Sequence, residues 1–133
     1  MCTACGSAEE AAYEAITSAL ALVRDGTAEE KADGADRIKV LCRDDANKRR
    51  VANAGGIELL IALARDGTPE NKTEAAKALS NLAAGNDDNK VRIAAEGGIE
   101  VLIALARDGT AEGKTQAAGA LCNLAGNDDN QVR

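Results

Sequence analysis

The stretch ALSNLAAGNDDNKVRIAAEGGIEVLIALARDGT, residues 78–110, decides the fold because most of it is written again elsewhere in the chain. GGIELLIALARDGT at 55–68 returns as GGIEVLIALARDGT at 97–110, and ALSNLA at 78–83 returns as ALCNLA at 120–125. RDGT stands at 24–27, 65–68 and 107–110, at offsets of 41 and 42 residues. A period of about 40–47 residues belongs to solenoid units of two or three helices. Such a unit cannot bury its apolar side alone and needs neighbours.

Each period reads as three helices. A short first helix starts near Asp87 or Asp88 as its cap, runs to about Glu96 and ends at Gly97–Gly98. The second, IEVLIALAR at 99–107, is apolar almost all round and should be buried on several sides. Gly109 suits a left-handed position after it, and Arg107 complements its C-terminal dipole. Thr110 then caps a third helix from about Ala111 to Ala125. Thr68 followed by Pro69, and Thr27 with Glu30, are the same start written twice more. The repeated GNDDN at 85–89 and 126–130 lacks the spacing of a calcium loop and reads as a helix-start turn.

In the helix 69–84, Ala75, Ala76, Leu79, Leu82 and Ala83 recur at helical spacing and should face the core. The opposite stripe is Glu70, Glu74, Lys77 and Asn81. Its counterparts are Glu112, Gln116, Gly119 and Asn123 in the third copy, and Glu29, Asp33, Asp36 and Val40 in the first.

Composition narrows the class. Among 133 residues, 45% are apolar, enough for one core, yet there is no Trp or Phe and a single tyrosine, Tyr13. The core must be built from Leu, Ile, Val and Ala, and Ala is the strongest helix former. Strand formers are scattered, so the chain reads as all-α. The net charge is −6, with the cations dispersed among acids, and no basic stripe for nucleic acid stands out. There is no apolar run for a membrane span and no secretory leader. Cys42 and Cys122 sit in helical apolar patterns as small hydrophobes. The C-x-x-C at Cys2 and Cys5 has no strand before it, no second pair and no histidine to complete a zinc site. It reads as part of a disordered tail. A reducing compartment, cytoplasmic or nuclear, is expected.

The three-helix unit, GGIE-L-IALARDGT and EAAKALSNLAAGN together resemble the armadillo repeat family, from about residue 8 onward. The resemblance implies a right-handed α-solenoid of about three repeats. We divide the chain into a disordered tail, 1–7; a first, N-capping repeat lacking its first helix, 8–43; a second repeat, 44–85; a third, 86–126; and the start of a fourth, 127–133. In this family the third helices line a concave groove that holds an extended peptide, with an asparagine bonding the peptide backbone. Those asparagines fall on Asn81 and Asn123. An asparagine carries one acceptor and two donors, so it can pair with both C=O and N–H of an extended chain. The family's groove tryptophans are replaced by Asp36, Lys77 and Gly119, and the first copy has Val40 in place of its asparagine.

What remains in the groove is charge. Asn81, Asn123, Lys77, Glu70, Glu74, Glu112, Gln116, Asp33 and Asp36 form the candidate peptide-binding set. With Glu29, its carboxylates would steer a basic segment. The leading helix, 8–24, carries Glu9, Glu10, Glu14, Thr17 and Ser18, the polar outer face of an end cap. At the other end nothing is written to cover Leu102, Ile103, Leu105, Leu121 and Leu124. Those residues are expected to mediate self-association, a two-fold homodimer through the C-terminal face, or to belong to a fragment of a longer array. With no histidine, no activated serine and no phosphate loop, the chain is expected to be non-catalytic and to use no cofactor or metal. The expected partner is a protein or extended basic peptide.

Overall fold

The computed structural model describes residues 3–126. They form eight α-helices and no strand: α1 (Thr3–Asp25), α2 (Ala28–Leu41), α3 (Asp45–Asn53), α4 (Gly56–Asp66), α5 (Pro69–Ala83), α6 (Asp87–Ala95), α7 (Gly98–Asp108) and α8 (Ala111–Ala125). They stack as three layers: α1–α2, then α3–α4–α5, then α6–α7–α8. The arrangement is an α-solenoid, as the repeat demands. Helix α1 already includes residues 3–7, which the sequence reading assigned to a disordered tail. Residues 127–133, read as the start of a fourth repeat, lie outside the described residues. The Cys2–Cys5 pair lies outside the described side chains.

The caps follow the sequence closely. Thr27 and Glu30 form a reciprocal capping box on α2. Thr68 caps α5 with Pro69 in the first turn, and Thr110 caps α8. The first helices are capped by Asp44 and Asn86. Asn86 therefore takes the place expected of Asp87 or Asp88. Its side chain sits one residue earlier and accepts from the backbone N–H of Asn89 at 3.0 Å.

The glycines divide by cause. Gly55 and Gly97 adopt φ +87° and +85°, the left-handed conformation that turns the first helix into the second. Gly109, expected to be left-handed, is instead extended, with φ −78° and ψ 178°. It is required for space: a Cβ there would lie 2.6 Å from the carbonyl oxygen of Leu105. Gly67 repeats this geometry against Leu63.

Leu, Ile, Val and Ala fill one continuous core through all three layers. Ala75, Ala76, Leu79, Leu82 and Ala83 are all within it, as their spacing requires. Helices α2, α5 and α8 pack on one another far more extensively than α1, α4 and α7 do. Small residues at the contacts, such as Ala76, Ala117 and Ala120, allow that close approach. The layers are therefore wedges, narrow along α2–α5–α8, and the stack bends toward that side. The wider side opens a cleft of about 650 Å³ between layers two and three, beside Ala64, Val101 and Ala104.

Candidate functional site

The inner side of the bend is lined by the polar stripe of α2, α5 and α8. Asn81 and Asn123 hold the same position one layer apart, and both reach back to the preceding layer. Asn81 Nδ2 donates to the carbonyl oxygen of Lys39 at 2.9 Å. Asn123 Nδ2 donates to the carbonyl oxygen of Ser80 at 3.1 Å and to Ser80 Oγ at 2.9 Å. The amide donors thus tie successive layers together. Oδ1 takes no part in these bonds. The two-way pairing with C=O and N–H expected of these residues is narrowed at Asn123, whose amide makes two bonds, while Asn81 spends one of its two N–H donors. A hydrogen bond between third helices is made in both copies.

The charges are also partly committed. Asp33 pairs with Arg37 at 3.0 Å, and Asp36 with Lys39 at 2.8 Å. Lys77 stands between Glu112 at 2.8 Å and Glu74 at 3.2 Å. With Glu112 on α8 it makes an ion pair across the layers. The hydrogen bond to Glu112 raises the Lys77 pKa, with the Glu74 bond adding to it against desolvation. The same bond holds Glu112 below the usual carboxylate range. Glu70 and Glu29 are exposed, Gln116 is half-buried and Gly119 is open to solvent. Glu70, Glu74 and Glu112 meet Thr73 and Thr110 around a cleft of about 360 Å³ between the starts of α5 and α8. At this cleft the structure brings together three of the predicted residues from two layers. Val40 is exposed in the first layer, where no asparagine stands.

The C-terminal layer corrects the other predicted set. Leu102, Leu105 and Leu124 are buried, at 0%, 5% and 2% exposure, because α7 packs on α8 and α4, and α8 packs on α5. Ile103 is 48% exposed and Leu121 is half-buried. Only the latter two lie where a partner could reach them. Ala118 is exposed on the same helix as Leu121, and so is Cys122, whose place in a helical apolar pattern does not bury it.

Other residues passed unnoticed. Asn89 is buried and its Nδ2 donates to the carbonyls of Leu82, at 3.0 Å, and Lys48, at 3.3 Å. Asn47 makes the corresponding bond to Leu41 at 3.0 Å. Lys48, itself nearly buried, donates to the carbonyl of Ala84 at the end of α5. A cation there complements the helix dipole. The signal was present as the repeated asparagine at 47 and 89, which the turn reading absorbed. Asn71 Oδ1 is buried without a hydrogen-bond partner. Cys42 is buried, and desolvation pushes its thiol up to about 12, which makes it inert packing. Among the described residues no group of ligands is placed to hold a metal ion, and no helix is long and apolar enough to cross a membrane.

This geometry can be set beside known proteins. A family model described as Armadillo/beta-catenin-like repeat matches residues 44–84 and 86–126. No curated protein matches the sequence. Two crystal structures of engineered proteins superpose with TM-score 0.83, at 29% and 28% identity, over 88% and 89% of this chain. They are longer, and the chain covers 48% and 29% of their lengths. A designed armadillo repeat protein in complex with the peptide (KR)4 superposes with TM-score 0.79 at 23% identity, over 86% of this chain and 48% of that one. The chain thus spans about half the length of these structures, or less.

Proposed function

This chain belongs to the armadillo/beta-catenin-like repeat family, and from that membership we propose a non-catalytic scaffold that holds an extended, basic peptide along α2, α5 and α8. Armadillo repeat proteins are in general non-catalytic, protein-binding scaffolds. The observation that carries the reading is the row of acceptors on the inner side: Oδ1 of Asn81 and Asn123, with Glu70, Glu74 and Glu112 around one cleft. Acceptors call for donors, which an extended backbone supplies through N–H and a basic side chain through its cationic head. A designed relative of the same fold was solved with a peptide of alternating Lys and Arg.

The groove has no aromatic anchor, since the chain has no Trp or Phe and its one tyrosine lies on α1. Tight interfaces draw their energy from such anchors. Each hydrogen bond contributes on the order of 1 kcal/mol net. Binding is therefore weak and driven by charge, and falls as salt rises. The test is titration of a labelled Lys/Arg peptide against wild type and the double variant Glu70→Gln, Glu112→Gln. A loss of affinity in the variant, with a flattened salt dependence, supports the reading. Unchanged affinity in the variant overturns it.

A second reading is favoured by the half-exposed Ile103: self-association through the α7–α8 end of the stack.

A further inference from the structure

On the wide side of the stack the two layer junctions repeat one another in register but differ in what they leave open. At the first junction, Val23, Arg24 and Lys31 face Leu59, Ala62 and Leu63 across a cleft of about 210 Å³. At the second, Ala64, Arg65 and Lys72 hold the same positions and face Val101, Ala104 and Leu105 across about 650 Å³. Val23 is replaced by Ala64 and Leu59 by Val101, and each change takes side-chain carbon out of a wall. The larger cleft lies between two described layers, so it is a property of the stack and not of where the chain stops.

Its rim carries charge of both signs. Arg65 and Lys72 stand on the layer-two wall, and Glu96 and Glu100 on the layer-three wall. Among the described residues no ion pair crosses between them. On the inner side the same junction is closed by Lys77 and Glu112 at 2.8 Å. The wedge shape of the layers holds the outer walls too far apart for that. Arg24 and Arg107, which share the position of Arg65, fold back onto Asp25 and Asp108 at 3.0 and 3.2 Å. Arg65 makes no such pair with Asp66, so the cation is uncommitted only where the cleft is wide.

We propose that this cleft takes an amphipathic helix of a partner protein, with an apolar stripe flanked by acidic residues on one side and basic residues on the other. The walls are helices whose backbone groups are bonded internally, so an extended chain laid between them gives up water and gains no backbone partner. A helix arrives with its own backbone bonds made. Its apolar stripe, at i, i+3, i+4 and i+7, packs on Ala64, Val101 and Ala104, which are small enough to let the axes come close. Its carboxylates meet Arg65 and Lys72, and its cations meet Glu96 and Glu100. With 11 residues, α7 is about 16 Å long, which matches about three turns of such a partner. The site lies on the opposite side of the stack from the α2–α5–α8 groove and does not depend on what that groove holds.

The probe is a fluorescent, blocked peptide of about 12 residues, stapled on its outer face because an isolated helix of that length is marginal in water. It carries a Leu stripe with Glu along one flank and Lys along the other, and its binding is read by anisotropy. Wild type should bind it saturably, and a peptide with Gln on both flanks about tenfold more weakly. The double variant Ala64→Val, Val101→Leu copies the pair that the first junction already accommodates, and should weaken binding by about tenfold or more by filling the cleft. Arg65→Glu with Lys72→Glu, which makes both walls acidic, should do the same. Glu70→Gln with Glu112→Gln, in the inner groove, should leave it unchanged. Circular dichroism verifies that each variant is folded. Absence of saturable binding overturns the proposal. So does binding that survives both cleft variants, or that is lost with the groove variant, since each places the contact elsewhere. Equal binding of the Gln-flanked peptide overturns the charge pattern assigned to the partner. A cleft that takes an apolar dye and no peptide is a small-molecule site, and the helical partner is then wrong.

Discussion

Helices α4 and α7 differ at one position, Leu59 against Val101, and yet α4 is enclosed while α7 is half bare. Leu60 and Leu102 are equally buried at 0%, and Leu63 and Leu105 equally at 5%. Those residues face the layer's own third helix and the layer before. The difference is confined to the stripe that faces the layer after. Ile61 is 1% exposed and Ile103 is 48% exposed. Helices α5 and α8 repeat the contrast, with Ala76 buried and Ala118 exposed. The comparison teaches that half of each layer's apolar pattern is satisfied inside the layer and behind it. The other half is satisfied only by what stacks next.

The largest expected effect tests that division directly. Ile61→Ala should cost about 2–5 kcal/mol, the range for a fully buried isoleucine. Ile103→Ala, made at low protein concentration, should cost less than about 1 kcal/mol, because half of its surface is already in water. Denaturant unfolding measures both, and equal losses would break the comparison. Next is the pair of equivalent asparagines, Asn89 buried and Asn47 half-buried. Asn89→Ala strips partners from the carbonyls of both Leu82 and Lys48 and should cost about 1–3 kcal/mol. Asn47→Ala strips one carbonyl, that of Leu41, and the acceptor of the half-buried Arg50, and should cost about 1 kcal/mol. A larger loss at Asn47 would show that the seam between layers is not what these residues hold.

Gly119 sharpens the comparison from the other direction. It occupies the place of Lys77, and a Cβ there meets nothing within 4 Å. Gly119→Ala should therefore stabilise the chain by about 0.5–1 kcal/mol, through lower unfolded-state entropy and better helix propensity, read as a raised denaturation midpoint. Gly113→Ala should give no such gain, since its Cβ would lie 3.0 Å from Thr73 Oγ1.

The smallest effect is the pH response of the clamp between Lys77 and Glu112. The Glu112 pKa is lowered on folding, so its contribution is present above the unfolded-state value and is lost as pH falls through the folded value. The Lys77 pKa is raised, so its contribution is present below the unfolded-state value and is lost as pH rises through the folded one. The stability difference between wild type and Lys77→Gln should be greatest between these limits and shrink on both sides. A difference that stays constant from acid to alkali would show that the ion pair contributes nothing.

Much of the fold was legible. The Thr27, Thr68 and Thr110 caps, the apolar second helices and the core stripe of α5 are local patterns, and each was realised in the structure. Gly109 was misread because a glycine after a helix signals either positive φ or close approach, and only coordinates separate the two. The candidate site was legible as a row of positions but not as chemistry. The resemblance to the armadillo family places Asn81 and Asn123 in the groove, while the partners of their donors, Lys39 and Ser80, lie 42 and 43 residues away in sequence. Likewise Leu102, Leu105 and Leu124 are apolar and in the last layer, but their burial depends on how α7 packs on α4 and α8, and α8 on α5.

The sequence by itself determined the three-layer helical stack, because a repeat of near-identical units fixes each helix's length, its caps and its apolar faces through neighbours along the chain. The tertiary structure alone decided which polar groups were already spent and which apolar residues were left to water. Those outcomes depend on atoms a full layer away, and identical residues meet different surroundings at different places in the stack.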